Sequence, residues 1–215
     1  MNDCSAFELG ESFAPELLID TAKALKAKVQ VLPDYPGQHQ SKTIDSALEN
    51  IDLYKSVGLD TFFVPQSQPG DLEGWIEAYQ FAANHSDIDV IGMSILGIPN
   101  ALPNVDRSIA RVVMVAILQE RGIFAYHKHH HFLGLNSGPK IEVGSLLKMK
   151  ALDTFDSSNA VWMGILGHRY AENTDTFLSV SKVSTHVNFD QPMSKDKVIL
   201  DNIQTNIDLT KKLFS

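Results

Sequence analysis

Five short apolar runs punctuate the chain, centred near Val29, Phe62, Val90, Phe132 and Leu152. Each is a few residues long and ends in turn-forming residues, the pattern of parallel strands buried on both faces. Between the runs, apolar residues recur every three or four positions, the period of amphipathic helices. Helices are expected over 15–28, 43–57, 72–83, 106–120 and 143–150, with a last one over about 195–213. In the first, Leu17, Leu18, Ala22 and Leu25 define the buried face, and Pro15 suits the first turn. Gly58 is placed to stop the second helix and Asp71 to cap the third. Segments 97–104 and 161–188 carry neither period and read as loops.

Strand and helix alternate in units of roughly thirty residues, the size of a βα repeat, so the fold class is α/β. A closed eight-stranded barrel takes roughly 250 residues, whereas this chain has 215. It also opens where a first strand should already have ended. The expectation is a (β/α) TIM-barrel type fold, partial or reduced to about five to six strands. It would be a single domain over 1–215, incomplete at its N-terminal side. An open, doubly wound sheet is the alternative. No glycine-rich dinucleotide or phosphate loop follows any of the strands.

Composition narrows the classes. A hydrophobic content of 44% and a charged content of 20% are those of a soluble globular protein. The formal net charge of -8 opposes broad non-specific nucleic-acid binding but leaves room for a local basic patch. Cys4 is the only cysteine, which excludes an internal disulfide framework and a multi-cysteine zinc site. The expected location is a reducing cytoplasm. No apolar run reaches the length of a membrane span, and the first residues show no basic-then-apolar leader.

In repeating strand–helix folds, ligands sit at the carboxyl ends of the strands. There the sequence places Asp34, Gln66, the Gly92-Met93-Ser94 segment, Asn136 with Ser137, and Asp156. Asp3 stands where an earlier strand would end. Carboxylates and a carboxamide in one mouth suit a purine-like base, since a carboxylate accepts from ring and exocyclic N–H groups and a carboxamide donates to a carbonyl. A glycine lets the backbone approach a flat ligand. The two further carboxylates could serve as nucleophile and general base. Taken singly, Asp156-Ser157-Ser158-Asn159 is also a good turn cap, and Asp34 beside Pro33 a good turn former. Their shared topological position is what favours chemistry.

At these residues the chain resembles the tRNA-guanine transglycosylase superfamily, in flavour its phage and bacterial DNA 7-deazaguanine branch. Asp3-Cys4-Ser5-Ala6-Phe7 resembles the family's Asp-Ser-Gly-Gly/Ala-Phe loop, and Leu32-Pro33-Asp34 the strand whose Asp grips the base. Val64-Pro65-Gln66 resembles the Val-Gln-Gly segment, and Val90-Ile91-Gly92 the Ile-Gly-Gly segment whose backbone reads the base. His131-Phe132-Leu133-Gly134-Leu135 resembles the Tyr/His-Leu-Met/Leu-Gly strand, and Leu152-Asp153-Thr154-Phe155-Asp156 the segment ending in the nucleophile. The resemblance spans roughly 3–170. It implies that Asp156 displaces guanine to form a covalent link to the sugar, and that a 7-deazaguanine base then attacks, losing a proton to Asp3. It further implies base contacts from Asp34, Gln66, Gly92, Met93 and Cys4, with DNA or tRNA as polymer partner and no cofactor. Cys4 replaces the family's Ser, Ser5 a Gly, and Met93 the second Gly of Gly-Gly. The tRNA enzymes' cysteine-rich zinc module has no counterpart, which favours DNA. The missing first strands point to a partner chain or oligomer that completes the barrel.

The run His127-Lys128-His129-His130-His131 supports other readings. His127, His129 and His131 alternate and would share one strand face. With Asp34 or Asp156 they could hold zinc and make the protein a metal-dependent hydrolase. Alternate strand residues lie roughly 6–7 Å apart, which works against three converging on one ion. Lys128, His168 and Arg169 are instead candidates for a patch facing nucleic-acid phosphate. A non-catalytic binding domain is the third reading. His39, His85 and His186 are expected to be loop residues without a role, and Trp75 and Trp162 to be core.

Overall fold

The computed structural model describes residues 1, 12–135, 139–170 and 196–212. Asp3, Cys4, Asn136, Ser137 and His186 lie outside the described residues. Five strands, β1 (Val29–Val31), β2 (Asp60–Phe63), β3 (Val90–Ser94), β4 (His129–Leu133) and β5 (Thr154–Phe155), form one parallel sheet in chain order. Eight helices accompany them among the described residues. They are α1 (Pro15–Leu25), α2 (Gln40–Ser56), α3 (Leu72–Asn84), α4 (Gly97–Ala101), α5 (Ala110–Glu120), α6 (Pro139–Lys148), α7 (Asn159–Ile165) and α8 (Lys197–Lys211). The α/β repeat is therefore present.

The strand order decides against the alternative architecture. A doubly wound sheet reverses its order at a switch point, and among the described residues β1-β2-β3-β4-β5 contains no reversal. Right-handed crossovers in such an order carry the helices to one face. Side-chain alternation agrees. Phe63 packs edge-on against Phe81 of α3, Tyr79 of α3 bonds His130 of β4, and Arg111 of α5 lies over the Phe132 ring of β4. The other face carries Phe62, Gly92, His131 and Thr154.

The core lies between sheet and helices. Trp75, Tyr79, Phe63, Ile91, Met93, Met114 and Phe132 are all buried there. Tyr79, Phe124 and His130 stack within it. The Tyr79 hydroxyl accepts from the Ala125 N–H at 2.9 Å and lies 2.9 Å from His130 Nε2, within hydrogen-bond distance. Burial holds the His130 ring neutral, with its pKa pushed down to about 4.

Several elements depart from expectation. α1 buries Leu18, Ile19 and Ala22 and leaves Leu17 and Leu25 exposed. α2 starts earlier than expected because the His39 ring accepts the Ser41 N–H as a cap, a role sequence reading denied it. α4 forms inside the expected loop, with Pro99 tolerated in its first turn. α7 stands within the other expected loop and packs on α8. They approach closely at Gly164, where a Cβ would lie 2.7 Å from the Ile203 backbone. Among the described residues no helix is long and apolar enough to cross a membrane.

Candidate active site

Parallel pairing brings the carboxyl ends of all five strands to one edge of the sheet. Two polar clusters form there. At the ends of β1 and β2, Gln66 Nε2 donates to Asp34 Oδ2 at 2.7 Å, and both residues are buried. Gln66 Oε1 takes no hydrogen bond among the described residues. It lies where a Cβ on residue 97 would stand 2.6 Å away, so Gly97 makes room for it.

The second cluster joins β4 and β5. Register pairs His131 with Thr154, which brings the side chains at 129, 131, 154 and 156 together. Thr154 Oγ1 lies 2.8 Å from His129 Nε2 and 2.8 Å from His131 Nδ1. His131 Nε2 lies 3.1 Å from Asp156 Oδ1, and the same oxygen accepts the Gly134 N–H at 3.1 Å. Asp156 is about half exposed, whereas His131 is mostly covered and meets Phe62 edge-on.

Partial burial alone would raise the Asp156 pKa. The hydrogen bonds from His131 and Gly134 and the charges of His131 and Arg111 outweigh it, so the carboxyl lies below its ordinary value. Asp156 is ionised at neutral pH.

Behind this cluster stands a buried ion pair. Arg111 Nε and one terminal nitrogen reach the two Glu142 oxygens at 2.7 and 2.8 Å, a bidentate contact with both side chains fully buried. The guanidinium also donates to the carbonyls of Met93, Leu133 and Gly134 at 3.2, 3.0 and 2.9 Å. It thus fastens the ends of β3 and β4 to α6. The Leu133 carbonyl and the Gly134 N–H belong to one peptide group. Arg111 therefore polarises the very amide that holds Asp156. Gly134 has φ +74, which a residue with a side chain rarely adopts.

The sequence candidates fall into place unevenly. Asp34 pairs with Gln66, and Asp156 with His131. The two clusters sit at opposite margins of the sheet, with β3 between them. Gly92 does not open onto a ligand here. A Cβ on it would lie 2.5 Å from the Phe62 ring and 2.8 Å from Val64, which fill that space. Met93 alternates to the helix face and is fully buried in the core, so it does not crowd a base. Lys128 precedes β4, at the opposite edge, and its ammonium donates to the carbonyls of His85 and Ile88. Arg169 pairs with Asp201 at 2.5 Å, and His168 is exposed beside it.

The histidine triplet does not converge. His127 bends to the Ala83 carbonyl at 3.2 Å, while His129 and His131 share Thr154. No group of three His, Cys, Asp or Glu residues suited to a metal ion occurs among the described residues. A pocket of about 410 Å³ beside Phe155 and Ser157 opens toward α8, on the side of β5 away from Asp156. A larger groove of about 560 Å³ runs along α2 and α3, away from the strand ends. Arg111, Glu142, Thr154 and the tie from His131 to Asp156 were not among the sequence candidates. No protein-family model matches the chain, and no curated protein matches it.

Proposed function

We propose that this protein exchanges a guanine base in a nucleic acid, DNA in preference to tRNA, for a 7-deazaguanine, with Asp156 as nucleophile. The observation that carries the reading is the state of Asp156. It is an ionised, half-exposed carboxylate at a strand's carboxyl end, anchored through one oxygen, while the other takes no hydrogen bond among the described residues. The buried Asp34–Gln66 pair on the same edge supplies acceptor and donor groups of the kind that read a purine edge. The unreversed strand order supports a barrel-type arrangement. So does the burial of Phe62 and Val64 on the face away from the helices. Curvature of that kind would turn the two clusters toward a common mouth.

The chemistry is a double displacement. An Asp156 oxygen attacks the sugar carbon C1′. The C1′–N9 bond breaks, its electron pair leaves with guanine, and N9 takes up a proton. The incoming base gives up its N9 proton, attacks C1′ and breaks the ester bond, which restores the carboxylate. Protons and charge balance over the cycle. Asp3 is the proposed carrier of the proton.

The test is label exchange. The protein is incubated with guanine-containing DNA, or with tRNA, and labelled guanine or 7-cyano-7-deazaguanine. Label should enter DNA with the wild type and fail to enter with Asp156→Asn. Incorporation that survives Asp156→Asn removes Asp156 as nucleophile.

A further inference from the structure

We infer that His131, set by Thr154 and His129, is a positioning residue that selects which oxygen of Asp156 faces the substrate. The inference rests on the reading of Asp156 as nucleophile. Its structural half stands on the hydrogen-bond chain alone.

With the His131 ring neutral, the hydrogen-bond chain has one direction. Asp156 is an ionised acceptor, so His131 Nε2 must carry a proton to meet it. A neutral ring protonated at Nε2 has a bare Nδ1, which needs a donor. Thr154 Oγ1, 2.8 Å away, is that donor. Having given its only proton, the hydroxyl accepts from His129 Nε2 at 2.8 Å. A ring turned over would set carbons against both oxygens. Asp156 and the threonine thus together favour one tautomer of the neutral ring, the role an orienting group plays for a catalytic imidazole.

The consequence falls on Asp156. Both its donors, His131 Nε2–H and Gly134 N–H, converge on Oδ1. Among the described residues Oδ2 takes no hydrogen bond, so it is the oxygen with lone pairs free for attack. A carboxylate without this anchor would rotate about its Cβ–Cγ bond and present either oxygen. The sheet register makes the device rigid, since His131 and Thr154 are paired residues on adjacent strands.

The experiment reads the tautomer first. Ring-nitrogen NMR of the full chain is recorded in alkaline buffer, above histidine's ordinary pKa of about 6.5. His131→Gln assigns the signals. Wild type should show His131 as the Nε2–H form. Thr154→Ser should keep that form, and Thr154→Val, which has the same shape without the donor, should give a mixture. A wild-type ring protonated at Nδ1, or a Thr154→Val spectrum unchanged from wild type, overturns the inference. Exchange kinetics supply the second arm. Thr154→Val should lower kcat by about tenfold to a hundredfold with KM little changed, the cost of a misplaced reacting group. Thr154→Ser should restore kcat. A Thr154→Val enzyme with unchanged kcat would also overturn it. A protein with the expected tautomer but no exchange activity would refute the base-exchange reading and leave the anchoring of Oδ1 standing.

Discussion

Replacing Arg111 by methionine removes the buried cation that fastens the carboxyl ends of β3 and β4 to α6. The aliphatic volume is nearly kept, so the loss is electrostatic. Glu142, itself fully buried, loses the two hydrogen bonds from Arg111 and its countercharge. Breaking a buried pair in this way costs about 3–5 kcal/mol. Three carbonyls lose a donor as well. That of Leu133 keeps the Ile95 N–H at 3.2 Å, which limits the added penalty. Against a domain stability of about 5–15 kcal/mol, the single variant should be severely weakened. Removing both charges should do less harm, because no buried carboxylate is then stranded. Arg111→Met with Glu142→Leu is therefore expected to be more stable than Arg111→Met by about 1–3 kcal/mol. Urea unfolding at neutral pH, followed by the fluorescence of Trp75 and Trp162, measures both differences, and unchanged slopes make the midpoints comparable. A loss below about 1 kcal/mol in the single variant would refute the reasoning. So would a double variant as unstable as the sum of the two single changes.

Three further outcomes follow from packing and titration. His130 has a native pKa of about 4 against an ordinary 6.5, so the unfolded chain binds the proton first and stability must fall as pH drops through that window. The loss is about 3 kcal/mol, and His130→Gln should flatten the dependence of the urea midpoint on pH. Gly92→Ala drives a methyl into the Phe62 ring and should cost about 1–3 kcal/mol, relieved by Phe62→Leu. A Gly92→Ala protein of unchanged thermal stability would show that the space above residue 92 is open. Gly164→Ala meets the Ile203 backbone, which cannot step aside, and should loosen α7 from α8, read as faster proteolysis near residue 165.

How much of this was legible in the sequence depends on which physics each feature used. Strands and helices repeat with their own periods, so β1 to β5 and most helices could be read from apolar spacing. α4 and α7 could not, because Pro99 and the short length of α7 mask the period that tertiary packing overrides. Asp34, Gln66 and Asp156 were visible as polar residues closing apolar strands. Arg111 left a subtler signal. It occupies the buried stripe of α5 with Met114, Val115 and Leu118. Glu142 is likewise buried with Val143 and Leu146. Opposite charges on the apolar stripes of successive helices point to a buried pair. The link from Thr154 to His131 was not legible, since strand register is a property of the sheet and no local pattern carries it. Gly92 misled for the same reason. Only the neighbouring strand shows that Phe62 fills the space a base would need.

The central claim, that Asp156 forms a bond to the sugar, is tested most directly by trapping that bond. The protein is mixed with a guanine-containing DNA oligonucleotide, without an incoming base, and quenched in denaturant for intact-mass analysis. The account predicts a species with the mass of the protein plus the oligonucleotide less one guanine, present in wild type and missing in Asp156→Asn. An adduct that persists in Asp156→Asn, or base exchange that proceeds with no such species, would contradict it.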